Sequence, residues 1–120
     1  MPSRPDCLFC KLVAEGDHVR TGDGFVAVRD IDPLAETHLL VLPERHVDTF
    51  RDIAAFPDDE AARMLRFVAE TAKSAGLEDY RVIVSVGPGG GQTIFHLHWH
   101  ILGGRYDAGR VAEALAEAAA

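Results

Sequence analysis

The sequence predicts an α+β fold, with short strands in a meander around one long helix and not a doubly wound parallel sheet. Three observations carry that reading. Short β-type apolar runs recur at residues 25–29, 37–42, 80–86 and 94–102. The longest helical pattern begins near residue 57 and repeats its apolar residues at helical spacing. The length of 120 residues fits one domain with one core. That domain is read as residues 1–120, with a core over about 6–105 and a helical tail over about 107–120.

Taken in order, Cys7-Leu-Phe-Cys10 opens the fold, and residues 11–15 form one or two helical turns that Gly16 ends. Thr21-Gly-Asp-Gly24 reads as a turn. Residues 25–29 form a short strand, broken by Asp30-Ile-Asp-Pro33. Residues 37–42, Thr-His-Leu-Leu-Val-Leu, form a buried strand that Pro43 stops, because proline cannot donate to a ladder. Pro57-Asp-Asp-Glu60 puts acidic groups where a helix N-terminus is partially positive. Ala61, Met64, Leu65, Val68 and Ala72 then mark one apolar stripe, and Gly76 ends it. Residues 80–86 are the next strand. The glycine-rich loop Gly87-Pro-Gly-Gly-Gly-Gln-Thr93 feeds a strand over 94–102, closed by Gly103 and Gly104. Asp107 caps a last helix over 108–119, with Val111 and Leu115 on one side.

The chain is 48% hydrophobic with charges interspersed, as a globule requires and a disordered chain does not show. A net charge of −7 argues against a nucleic-acid backbone or an anionic membrane as the main partner. It permits a small anionic ligand, because nearby donors outweigh a distant net charge. No apolar run reaches the roughly 18 residues of a transmembrane helix. The N-terminus lacks the apolar centre of a signal peptide. The expectation is a cytoplasmic protein with its two cysteines reduced.

Chemistry concentrates in residues 94–102, Ile-Phe-His-Leu-His-Trp-His-Ile-Leu. Strand side chains point to alternate faces. As a strand, this run puts His96, His98 and His100 on one face and Phe95, Leu97, Trp99 and Ile101 on the other, with Trp99 in the core. Neighbouring imidazole positions would then lie about 6–7 Å apart and the outer two about 13 Å. Without a sharp bend, three such positions cannot ligate one ion at about 2.1 Å. The spacing therefore favours distributed roles, with one imidazole as nucleophile and the others assisting. The alternative is three hydrogen-bonded surface histidines.

The glycine loop admits positive φ and close backbone approach to a ligand, and its successive N–H groups form an anion-binding nest. Gln92 and Thr93 add an amide and a hydroxyl. The alternative is a flexible connection. Cys7-x-x-Cys10 is half a zinc site, and a zinc ion needs two further ligands, for which His46 and His96 are the candidates. A redox pair or two small buried apolar residues are the other readings. His38 sits inside an apolar strand, where a lone histidine is more often a satisfied core residue. Asp30 and Ile31 offer a carboxylate to a ribose or simply make a turn, and His18 reads as solvated.

Together these residues resemble the histidine triad (HIT) family of nucleotide hydrolases and transferases. His96-Leu-His-Trp-His-Ile-Leu102 matches the family's His-φ-His-φ-His-φ-φ pattern, and Gly90-Gly-Gln-Thr93 matches the segment before it. Arg29-Asp-Ile-Asp-Pro33 and Thr37-His-Leu-Leu-Val-Leu-Pro-Glu-Arg-His46 match the upstream segments in the right order. The likeness covers roughly residues 6–105 and points to the nucleotide-binding branch and its zinc-bearing bacterial members.

The resemblance implies a five-stranded antiparallel sheet with two main helices, and a homodimer whose sheets join. It implies hydrolysis at the α-phosphate of a nucleoside phosphoramidate or related nucleotidyl compound. A dinucleoside polyphosphate hydrolase is the near rival, and a nucleotide-sensing adaptor the rival of another class. His98 would be the nucleophile and carry a nucleotidyl intermediate. His100 would bind phosphate and assist the leaving group, with His38 and His96 in support. Asp30 and Ile31 would line the ribose pocket. Ser85, Gly91, Gln92 and Thr93, with His98 and His100, would hold the nucleotide, a purine monophosphate derivative. Cys7, Cys10, His46 and His96 would bind a structural zinc, with no organic cofactor. The sequence departs from the family pattern at Ser85, where an amide residue is usual, and in its alanine-rich tail after Gly104.

Overall fold

The computed structural model of the chain describes residue 4, residues 6–106 and residues 108–119. Its strands are β1 His18–Gly22, β2 Phe25–Arg29, β3 Ala35–Pro43, β4 Tyr80–Ile83 and β5 Trp99–Tyr106. They form one five-stranded sheet in the order β1-β2-β3-β5-β4, and every pairing is antiparallel. The helices are α1 Leu8–Glu15, α2 Asp58–Ser74 and α3 Ala108–Ala119, with 3-10 turns at Phe50–Ala55 and Pro88–Gly90. The α+β class expected from the sequence is the class observed.

Period-two alternation assigns each strand residue to one of two apolar layers. Phe25, Ala27, Leu39, Val41, Trp99 and Ile101 face α2, where Met64, Phe67, Val68 and Ala72 close the larger core. Val26, Val28, Leu40 and Leu42 face α1 and pack with Phe9, Cys7 and Cys10. β2 is buried on both faces and therefore reads as a continuous apolar run. His38 and His100 share alternation with Leu40 and Leu102, which places them on the α1 side of the sheet.

Acidic Asp58, Asp59 and Glu60 occupy the first turn of α2 and Lys73 its last, complementing the helix dipole. Glu60 also takes two 2.8 Å hydrogen bonds from Arg45 just after β3, a bidentate pair that pins the start of α2 to the sheet.

Four elements depart from expectation. The sequence marks the stretch of β1 only as a surface histidine and a turn. That stretch pairs with β2 through a two-residue Asp-Gly connection, and its Arg20 lies over the Phe67 ring at 4.4 Å. Residues 50–55 form an unexpected 3-10 turn capped by Thr49 and Asp52. The strand expected over 94–102 and closed by Gly103 and Gly104 begins only at Trp99 and runs through both glycines to Tyr106, while residues 94–96 bend. Its partner explains this: β3 ends at Pro43, which has no N–H to extend the ladder, and Leu97 N–H donates instead to Val47 O at 2.7 Å. With 94–98 out of the sheet, Ser85 and Val86 have no strand opposite them, and β4 ends at Ile83 and not at residue 86. The last helix spans Ala108–Ala119 as expected, while its expected cap Asp107 and the Leu115 side chain lie outside the described residues.

Candidate active site and metal centre

Four side chains converge where α1, the end of β3 and the bent segment meet. Cys10 Sγ lies 3.3 Å from His46 Nδ1 and 3.5 Å from His96 Nδ1, and Cys7 Sγ lies 3.5 Å from His96 Nδ1. The four donor atoms all fall within 4.8 Å of one another. A tetrahedron with bonds of about 2.1–2.3 Å has edges of about 3.6 Å, so this set fits a zinc ion. Hydrogen bonding points the lone pairs the right way. His46 Nε2–H donates to Asp48 Oδ1 at 2.7 Å, and His96 Nε2–H donates to the Pro43 carbonyl at 2.9 Å. Each ring therefore presents a bare Nδ1 to the sulfurs, the arrangement that outer partners impose on metal-bound histidines. Burial holds His96 neutral, with its pKa lowered to about 4. Both cysteines are free thiols, not a disulfide.

The bend separates the three histidines. His96 turns into the Cys/His quartet, while His98 and His100 stay together with ring centroids 5.1 Å apart. Phe9 of α1 meets the His98 ring edge-on at 4.9 Å and lies 6.2 Å from His96. His98 Nδ1 lies 2.8 Å from the His96 carbonyl, which only accepts. The proton of neutral His98 is therefore on Nδ1, and Nε2 keeps its lone pair.

The opposite tautomer is imposed on His100. Leu34 N–H donates to His38 Nδ1 at 3.0 Å, so neutral His38 carries its proton on Nε2. That Nε2–H donates to His100 Nδ1 at 2.9 Å, which leaves His100 with an N–H at Nε2. Two adjacent imidazoles thus offer complementary ends, a lone pair at His98 and a donor at His100. Burial lowers the pKa of all three rings from the ordinary imidazole value. For His100, neighbouring His98 and His38 add to the effect and the value falls to about 3.

Asp30 Oδ2 lies 3.4 Å from His38 Nε2, and Asp30, His38 and His100 together form a second cluster of metal-ligand residue types. It does not suit a metal. Leu34 N–H occupies His38 Nδ1, so His38 Nε2 holds a proton where a ligand needs a lone pair. This geometry argues against a metal held by Asp30, His38 and His100.

The remaining expected residues divide. Asp30 reaches its own loop through Asp32 N–H and stands beside His38, while Ile31 is 97% exposed. Ser85 is half-buried just before the glycine loop, and Thr93 is exposed. In that loop Gly87 and Gly91 hold positive φ of 72° and 93°, open to glycine at little cost. The row of free donors expected there is largely engaged. Gly90 and Gly91 N–H donate to Gly87 O and Pro88 O, and Gln92 N–H to Gly87 O. Gln92 is 4% exposed, and its amide bonds Gly87 N–H, Asp48 O and Ile94 O. The polar groups of Gly91 and Gln92 thus shape the loop from inside.

Several participants went unread in the sequence. Asp48 orients His46, Phe9 backs His98, and the backbone of Leu34 and Pro43 fixes two tautomers. Only Asp48, two residues from His46, left a sequence signal. The docking of helix α3 is another. Arg110 bonds Pro33 O at 3.2 Å and Asp32 Oδ1 at 3.5 Å, and the helix packs on Pro88–Gly90. It therefore bridges the Asp30 loop and the glycine loop.

Known proteins share this arrangement of sequence and fold. The family model of the HIT domain matches residues 11–107. Protein HitA of Neisseria gonorrhoeae is 39% identical over 82% of this chain and 95% of its own length. The purine nucleoside phosphoramidase of Escherichia coli is 34% identical over 83% of this chain and 88% of its own. A solved histidine triad protein from Clostridium difficile superposes with a TM-score of 0.76 at 35% identity, covering 88% of this chain and 96% of that one. A HIT family hydrolase from Legionella pneumophila does so at 0.72 and 38% identity, covering 83% and 94%.

Proposed function

From the chain's membership of the HIT domain family, we propose that it is a hydrolase acting at the α-phosphate of purine nucleoside phosphoramidates or related nucleotidyl compounds. One observation carries this reading: the bare Nε2 of His98 beside the Nε2–H of His100. The similarity to a purine nucleoside phosphoramidase supports the substrate class. His98 Nε2 attacks phosphorus, and the P–N bond breaks as the leaving nitrogen takes a proton delivered through water. Positive charge on the nucleotidyl-imidazole is stabilised by the Nδ1–H bond to His96 O. His100, too weakly basic to hold a second proton near neutral pH, donates its N–H to the phosphoryl oxygens. Water then attacks phosphorus, the P–Nε2 bond breaks, and water's proton restores the balance.

Asp30 takes the ribose hydroxyls with Ile31 against the sugar and base, and the Thr93 and Ser85 hydroxyls stand on the phosphate side. Cys7, Cys10, His46 and His96 would hold a structural zinc, which would supply a rigid anchor for the segments that carry them. The protein acts as a cytoplasmic homodimer with joined sheets. The test is turnover of an adenosine phosphoramidate, with mass spectrometry of a slow substrate trapping a nucleotide on His98. Absence of any adduct with turnover intact would sink the covalent route. Faster turnover of a dinucleoside polyphosphate would reassign the leaving group.

A further inference from the structure

Gln92 is buried, is bonded at every polar position and has no part in the chemistry above. Its Oε1 accepts from Gly87 N–H at 2.9 Å, while its Nε2 donates to Asp48 O at 2.8 Å and to Ile94 O at 3.0 Å. One end of this amide therefore grips the first residue of the glycine loop. The other grips the segment that carries His46. Asp48 is held from both sides, since its carboxylate takes the His46 Nε2–H at 2.7 Å and its carbonyl takes the Gln92 amide. Val47, between them, accepts from Leu97 N–H at 2.7 Å, so the same short segment also steadies the approach to His98.

We propose that Gln92 is a positioning residue, a strut between the Cys/His metal centre and the glycine loop, through which metal binding tightens nucleotide binding. The nucleotide arm of this proposal rests on the hydrolase reading above, and the metal arm does not. Linkage makes the effect reciprocal, so bound nucleotide slows metal loss by the corresponding factor. The side-chain type is specific, because the site needs one acceptor and two donors at the reach of a glutamine. An ionised Glu accepts from Gly87 but sets a carboxylate against two carbonyls, and Ala offers nothing.

The full chain is compared with Gln92→Ala and Gln92→Glu. Three quantities are read: zinc release to a chromogenic chelator, the absorption bands of cobalt-loaded protein, and the Kd of AMP with and without zinc. Both variants should release zinc about tenfold faster, because they loosen Asp48, the outer partner of His46. They should also shift the cobalt bands, which a change in global stability alone would leave in place. Removing zinc should weaken AMP binding about tenfold in the wild type and little in either variant. With a phosphoramidate, KM should rise more than kcat falls.

Equal AMP affinity with and without zinc in the wild type overturns the strut. So do variants that lose AMP binding while releasing zinc at the wild-type rate, an outcome that puts Gln92 on the phosphate itself. If the wild type binds no AMP, the nucleotide reading fails by itself, and zinc release decides the rest. Unchanged release in Gln92→Glu then overturns the strut, and faster release upholds its metal arm.

Discussion

A neutral imidazole has one lone pair and one N–H, and its hydrogen bonds decide which nitrogen carries which. At His98 the His96 carbonyl makes that decision, so His98→Ala should reduce turnover at least a thousandfold on the scale of nucleophile deletions. AMP affinity should change little, because the ring is read as acting on phosphorus and the sugar contacts lie at Asp30. Calorimetric binding beside steady-state kinetics checks both halves. His100 carries a pH consequence. Its folded pKa of about 3 lies below the unfolded value of about 6.5, so between those limits the unfolded chain binds more protons. The stability contributed by keeping this ring neutral is complete above about pH 6.5. It falls with acid by up to about 1.4 kcal/mol per pH unit, flattening near pH 3. His100→Asn should lose less stability than the wild type between pH 7 and pH 5 in urea titrations. The alternation of the run marked three histidines in the sequence, and the family resemblance singled out His98 among them. The direction of its proton was not legible, because that depends on a bend and on a backbone carbonyl that no residue type encodes.

Helix α1 contributes two thiols and Phe9, and it caps itself: the Cys7 sulfur accepts Cys10 N–H at 3.3 Å. Its position against the sheet therefore depends on the quartet. Cys10→Ser should lower zinc content and Tm together, since a bound structural metal contributes folding free energy. Elemental analysis and thermal melts on one preparation test this, and a full zinc complement in the variant would remove Cys10 from the ligand set. Helix α3 is held differently. Val111 is 1% exposed yet joins neither apolar layer of the sheet. Val111→Asp should therefore free the helix without unfolding the domain, because a buried unpaired carboxylate is costly only where the helix docks. Faster proteolysis near residues 105–110 with a nearly unchanged Tm is the expected result. The helix itself was legible from its alanine-rich pattern. Its docking was not, since Arg110 pairs with residues about eighty positions earlier. β1 was hidden for a related reason: its polar side chains gain their cover from α2, far along the chain.

At the scale of the molecule, β5 enters the sheet between β3 and β4 and leaves β4 as an edge. That edge is short, and its Tyr80 and Val82 are each 40% exposed on either side of a single charged residue, Arg81. The joined sheet of the proposed homodimer fits here. Val82→Lys should shift the protein toward monomer in light scattering at micromolar concentration, and a wild type that is already monomeric would defeat the joined-sheet arrangement. The family motifs made the sheet foreseeable, but the two trimmed strands were not, because both follow from the single proline that ends β3.

The sequence of hydrogen bonds from Leu34 through His38 to His100 has a meaning for proton traffic. It resembles a relay, but its far terminus is a backbone amide, which gives up no proton at any physiological pH. The line is a conduit sealed at one end. It aligns His100 and conducts nothing past His38, so protons that move in the reaction enter and leave by Asp30 beside His38 or by the open side, where substrate and water are.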